Sequence, residues 1–277
     1  MLERASSAER GSDRLAERRR LRHRRGITVF SILLLLLLGA LIWGLWQTPV
    51  RISSVTIYGA DVSFTDYATR AMQGSYFGII PRDSIFFFPE SNIRADILAA
   101  HPDIAAVSIF RKGFTGISLK MDYRVPIARW CGVFNAGRSD LPALNANCYV
   151  FDANGTIFAA AATSTETINM FSLYAPLEGD GLEPLHSTIA HAERLPLVFD
   201  FARQLDTLGS RISHVVLRDD EVDDYLTSGT RITYVLGHER DAFTALVSAR
   251  DNLKLADGSL EYVDLRFDGK VYLKKKQ

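Results

Sequence analysis

The residues of this 277-residue chain best able to do chemistry are six histidines, two cysteines and a run of acids. None falls into a catalytic or metal-binding pattern. His186 and His191 are five apart, whereas two zinc ligands on one helix face stand four apart, and no HExxH is present. His238-Glu239 precedes a helical pattern and reads as a loop or first-turn pair. Asp152 and Asn154 begin like a calcium loop, but Ile157 stands where the sixth-position glycine is needed and Thr163 where the terminal acid is needed. Asp219, Asp220, Glu221, Asp223 and Asp224 lack that glycine and glutamate too, and are expected in a solvated loop or edge. No G-x-S-x-G elbow or phosphate loop occurs, and Cys131 has no histidine partner by motif. The expectation is no catalytic residue, metal or cofactor, with an anchored hydrolase as the weaker alternative. Two cysteines are too few for a disulfide-dense scaffold or a four-thiolate zinc site, but suffice for one bridge.

The surrounding chain must place any function outside a membrane. Ile27 to Trp46 is twenty residues without a charge, about 30 Å as a helix, which matches a bilayer core. A cleaved signal peptide would be shorter and end at small residues; this stretch ends in Trp43-Gly44-Leu45-Trp46, suited to the polar interface. Met1 to Gly26 carries nine Arg against four acids, with Arg18 to Arg25 crowding the anchor, so this basic tail 1–26 is expected in the cytoplasm and everything after Pro49 outside it. Interspersed acids and the lack of aromatic residues make the tail a topology signal with anionic-lipid contact, not a nucleic-acid arm. It is expected to be disordered at its start and helical near the membrane. Hydrophobic residues make up 47% of the whole, which excludes a wholly disordered protein, and a net charge of zero argues against nucleic acid as the main partner.

After the anchor, Val50 to Tyr58 is β-rich and closed by Gly59. A helix capped by Thr65 places Ala68, Ala71 and Met72 on one face and stops at Gly74. A second begins near Glu90 or Ser91, carries Ile93 and Ile97, and ends at His101-Pro102. Two strands follow, Ile104 to Arg111 and the alternating Ile117, Leu119, Met121, joined by a turn at Lys112 to Gly116. This order, strand-helix-helix-strand-strand, resembles the POTRA module. Val50-Arg51-Ile52-Ser53-Ser54-Val55-Thr56-Ile57-Tyr58-Gly59, His101-Pro102-Asp103-Ile104-Ala105-Ala106-Val107-Ser108-Ile109 and Arg124-Val125-Pro126-Ile127-Ala128-Arg129-Trp130 resemble the POTRA of the FtsQ/DivIB cell-division family. Outer-membrane assembly and secretion proteins also carry POTRA modules, usually in tandem before a β-barrel, and no barrel is predicted here.

Beyond Trp130, Cys148 to Phe151 and Thr156 to Phe158 form a hairpin around Asp152 to Gly155. Ala159 to Pro184 reads as a surface loop. A helix over Arg194 to Leu208 puts Leu197, Phe201, Leu205 and Leu208 on one face. Strands are expected at Ile212 to Leu217, Val222 to Leu226 and Arg231 to Leu236, then a helix from Asp241 to Leu255 carrying Phe243, Leu246, Val247 and Leu253. Leu260 to Lys274 alternates, Val263, Leu265 and Phe267 against Tyr262, Asp264 and Arg266, with a turn at Asp268-Gly269. It resembles the closing strands of the FtsQ/DivIB β domain, and the resemblance covers residues 27 to 274. Phe134 to Asn147, an apparent insertion, and the loop after Phe158 fall outside it.

The implied architecture is α+β: tail 1–26, a single N-terminal transmembrane helix 27–46, a POTRA domain 50–123, a mixed β-sheet domain with packed helices 124–274, and a short tail 275–277. Arg129-Trp130-Cys131 and Cys148-Tyr149-Val150 read as arms of one hairpin. In an oxidising compartment Cys131 and Cys148 can then bridge and staple the insertion, the alternative being two buried thiols. The resemblance implies a non-enzymatic divisome scaffold at the septum that binds the FtsB/FtsL (DivIC/FtsL) coiled-coil pair and helps control septal peptidoglycan synthesis. Its POTRA and tail would meet other divisome members. A terminal strand exposes unpaired backbone groups, so Tyr262, Phe267, Lys270, Val271, Tyr272 and Lys274 are expected to bind the partner by strand addition, with the core as the equal alternative for Phe267. Tyr272 is the expected outward-facing anchor. The lysines, with Lys275 and Lys276, blunt the edge and attract an acidic segment.

Overall fold

The computed structural model describes residues 3–134, 147–162, 166–179 and 183–276. The insertion expected at Phe134 to Asn147 lies, from 135 to 146, outside the described residues, as do parts of the loop expected over Ala159 to Pro184. The chain forms two compact units, Met1–Ala100 with Ala106–Met121, and His101–Ala105 with Asp122–Gln277.

In the first unit, helix α1 runs over Glu3–Leu45 without a break, so the tail continues the anchor as helix instead of starting disordered. Its His23–Leu45 stretch, whose most apolar 18 residues have a mean hydropathy of 2.5, is long and apolar enough to cross a membrane. Strand β1 (Ser54–Tyr58) is shorter than expected, because Pro49 opens a 3₁₀ turn over Thr48–Val50. Then come α2 (Thr65–Ala71), the two-residue strands β2 (Ser75–Tyr76) and β3 (Ile80–Pro81), α3 (Glu90–Ala100), β4 (Ile104–Lys112) and β5 (Gly116–Tyr123). Phe64, not Thr65, is the residue before α2, and the side-chain cap is one turn earlier, where Asp61 accepts from Ser63 N–H at 2.8 Å. The three-stranded sheet has the order β1-β5-β4, with β1 parallel to β5. Ile93 and Ile97 on α3 are fully buried, as are Ile117 and Leu119 on β5, which is the four-residue helical spacing meeting the two-residue strand spacing.

The second unit is built on a mixed sheet of nine strands. These are β6 (Ala128–Trp130), β7 (Tyr149–Phe151), β8 (Ile157–Ala160), β9 (Ser172–Tyr174), β10 (Ile212–Arg218), β11 (Glu221–Leu226), β12 (Arg231–Val235), β13 (Leu260–Asp264) and β14 (Tyr272–Lys275), in the order β14-β13-β12-β11-β10-β9-β6-β7-β8. Helices α4 (Leu195–Thr207) and α5 (Glu239–Ala249) share one core with the sheet, centred on Phe201 and Tyr234 with ring centroids 4.4 Å apart. The α+β class with a mixed sheet and packed helices is as expected, and several details differ. Strand β9 lies mid-sheet, parallel to both neighbours, inside the stretch read as a surface loop. Leu197 is exposed, because α4 buries Leu195, Val198, Phe199, Phe201, Ala202 and Leu205 instead. Asp223 and Asp224, expected in a solvated loop, are buried in β11.

The β7–β8 hairpin forms around an Asx turn. One oxygen of Asp152 accepts from the N–H groups of Asn154 and Thr156 at 2.9 and 3.0 Å, and the other holds the Arg124 guanidinium. Gly155 takes φ +75°, and a β-carbon there would meet that of Ala192 at 2.5 Å, so both conformation and space require glycine. Cys131 and Cys148 are joined by a disulfide, with α-carbons 4.3 Å apart, and pack with Tyr174 and Val216. The bridge closes a loop of sequence separation 17. Replacing both cysteines by serine should therefore lower unfolding stability by about 3 kcal/mol, read as a fall in Tm that reducing agent reproduces in the native chain and not in the variant.

Candidate partner-binding edge

The last strand pair forms one edge of the large sheet. Strand β13 continues β12 in parallel and pairs with β14 antiparallel, Val263 opposite Leu273 and Asp264 opposite Tyr272. The ladder ends at Asp264, so Leu265 to Phe267 leave the strand expected to carry them. Arg266 is tied down at this departure. Its guanidinium donates to Glu221 at 2.6 Å and to Asp264 at 2.7 Å, as the chain turns across the start of β11. Hydrogen bonding to Arg266 holds the Asp264 carboxyl below its usual range. The turn then closes at Asp268-Gly269, with Lys270 N–H donating to Phe267 C=O at 3.1 Å and Gly269 at φ +66°.

Phe267 is 51% exposed and Tyr272 46%, and their rings meet edge to face at 5.1 Å. Val271 is partly buried against the core. Tyr262 is half-buried on the same face as Tyr272 and lies under the Arg231 guanidinium, 5.7 Å from the ring centroid. Lys270 is exposed, whereas Lys274 pairs with Glu261 at 2.8 Å and Lys276 donates to Ser228 C=O at 3.2 Å. Two of the lysines expected to attract an acidic segment are thus already engaged within the domain. Leu273, 41% exposed on the face opposite Tyr272, belongs to this surface and was not expected there. Its place in the alternation was its only sequence signal, and that signal points to core.

Every residue of β14 is exposed, and among the described residues no strand lies on its outer side. The opposite edge differs. Ile157 of β8 exchanges backbone hydrogen bonds with Ser187 and His186 at 2.9 Å, and Thr156 bridges Thr188. A loop therefore covers the start of that edge. The hairpin leaves at β14 the row of unpaired N–H and C=O groups that a further strand can take up.

The sheet face away from α4 and α5 carries buried polar groups beside the cluster of the disulfide, Tyr174 and Val216. Asp223 accepts from Thr233 at 2.6 Å and pairs with Arg218, which explains its burial as a charged group. Asp224 points the other way, towards Tyr234 in the core. Burial first, then the charge of Asp223, pushes its carboxyl well above the usual range. On the face that carries Asp223, His214 stacks on Tyr225 with centroids 4.3 Å apart, and its Nε2 has no hydrogen-bond partner among the described residues. Burial lowers its pKa to about 4. An unfolded histidine titrates near 6.5, so the unfolded state binds the proton first as pH falls and stability drops between about pH 6.5 and 4. With water reaching part of the ring, the loss should be on the order of 2 kcal/mol. In His214→Gln, denaturant midpoints across that window should be flatter than in the parent chain.

Compared with known proteins, the chain matches no protein-family model, and no curated protein matches it significantly.

Proposed function

We propose that the chain is a bitopic, non-enzymatic scaffold of bacterial cell division of the FtsQ/DivIB type. It holds an FtsB/FtsL-like (DivIC/FtsL) coiled-coil pair outside the cytoplasm and so helps control septal peptidoglycan synthesis. Its N-terminus is cytoplasmic, its C-terminus lies outside at the septum, and the POTRA and tail meet other divisome members. The element order of the first unit and the anchor before it support this reading. The observation that carries it is the edge at β14, open on its outer side along its whole length, whereas β8 is covered at its start.

Because backbone pairing supplies affinity and side chains supply register, Tyr272 is the anchor residue of that edge. Full-length chain, co-expressed in detergent-solubilised membranes with the FtsB/FtsL-like pair, should retain it on affinity capture. Tyr272→Ala should weaken the titrated affinity by about 1 to 3 kcal/mol. A parent chain that captures no pair would remove the reading, and an unchanged affinity in Tyr272→Ala would remove the anchor role.

A further inference from the structure

The end of the first unit at which the chain leaves α1 is ringed by exposed aromatic residues. Strand β1 begins there, Ser53 N–H donates to Thr115 C=O at 2.9 Å, and the β4–β5 turn is thereby brought to the same end. The loop between α2 and α3 is pinned there as well. Trp46, one residue past α1, donates its indole N–H to Ile79 C=O at 2.8 Å. Arg51 holds both oxygens of Asp83, Oδ1 at 3.1 and Oδ2 at 2.6 Å, and the backbone N–H groups of Ile52 and Ile85 donate to the C=O of Asp83 and of Val50.

On this end Phe77 is 97% exposed, and Ile79, Phe86, Phe87 and Phe114 are each between 49% and 66% exposed. Phe77 also stands at φ +53°, a left-handed conformation uncommon for a bulky side chain. A strained backbone that presents a full phenyl ring to water gains nothing in water. Exposed apolar side chains gathered at one end of a unit in this way mark a contact surface. Cations flank the aromatic residues: Arg82 lies 5.0 Å from the Tyr76 ring centroid and Arg111 lies 5.5 Å from that of Phe88. Tryptophans at a membrane-spanning helix end sit at headgroup depth, and a loop hydrogen-bonded to Trp46 must share that depth. Aromatic rings beside guanidinium groups suit an anionic lipid interface better than a water-filled gap.

We propose that this end of the first unit rests in the bilayer interface at which α1 terminates, with Phe77, Ile79, Phe86, Phe87 and Phe114 set among headgroups and upper acyl chains. The lipid surface is then a second attachment that fixes how the unit stands on the membrane. The proposal rests on the anchor reading of α1 and is independent of any role in division.

The test uses the full chain in nanodiscs containing phosphatidylglycerol, with no other protein. The native cysteines are bridged, so a single nitroxide is placed through Phe77→Cys, Phe87→Cys, Val62→Cys or Leu35→Cys. Val62 is 77% exposed and follows the far end of β1, and Leu35 lies in the apolar span. Collision with an aqueous nickel chelate should be at least about fivefold lower at 77 and 87 than at 62, with circular dichroism unchanged. Equal accessibility at 77, 87 and 62 while 35 is shielded would overturn the proposal and leave the rim to a protein partner. An aqueous signal at 35 would remove the anchor reading and the proposal with it.

Discussion

Truncation after Gly269 should abolish capture of the coiled-coil pair while the anchor and first unit stay folded. The deletion removes β14, whose exposed outer side is the proposed template for a partner strand, together with Val271, which packs against the core. It also makes β13 the new edge, and β13 carries the fully buried Val263 opposite the lost Leu273. The binding loss should exceed that of Tyr272→Ala, because backbone pairing goes as well as one side chain. Capture by the truncated chain, with retained secondary structure shown by circular dichroism, is the measurement. Parent-level capture would place the partner surface outside β14.

Arg124→Ala should lower the unfolding stability of the second unit by about 3 to 5 kcal/mol, the range for breaking a buried ion pair by removing one partner. Arg124 and Asp152 are only 19% and 9% exposed. The guanidinium also donates to Pro102 C=O at 2.9 Å, so one side chain ties His101–Ala105 to the β7–β8 turn. Its removal leaves the Asp152 carboxylate with the two turn N–H groups and no counter-charge. The double variant Arg124→Ala/Asp152→Ala should lose less than the sum of the two single changes, as coupled partners do. Denaturant unfolding followed by tryptophan fluorescence checks both, and a loss below about 1 kcal/mol in Arg124→Ala would show that water already screens the pair.

The local elements of this protein were legible because each obeys a local rule. A twenty-residue span without charge matches a bilayer whatever surrounds it. Ile93 with Ile97, and Ile117 with Leu119 and Met121, carry the periods of a helix and of a half-buried strand, and all five are buried. Asp152 to Gly155 is a turn by its own chemistry. Cys131 and Cys148 end two arms of one hairpin and are bridged. The β13–β14 hairpin was legible from its alternation and its Asp-Gly turn.

Only the tertiary structure decided what those rules leave free. Strand β9 has three residues and is buried on both faces at Leu173 and Tyr174, so it shows no alternation, and its parallel partners come from distant segments. The stripe through Leu197 and the stripe through Val198 share Phe201 and Leu205, and the side on which the sheet lies chose between them. Asp223 and Asp224 read as solvated because acids normally are, yet Arg218 and Thr233 satisfy the first, and burial on the core face pushes the carboxyl of the second well above its usual range. The sequence by itself therefore determined an apolar span, two α+β units and a closing hairpin. Which edge of the nine-stranded sheet stays open was decided by where distant strands pair and by the loop that covers the start of β8, neither of which any local pattern encodes.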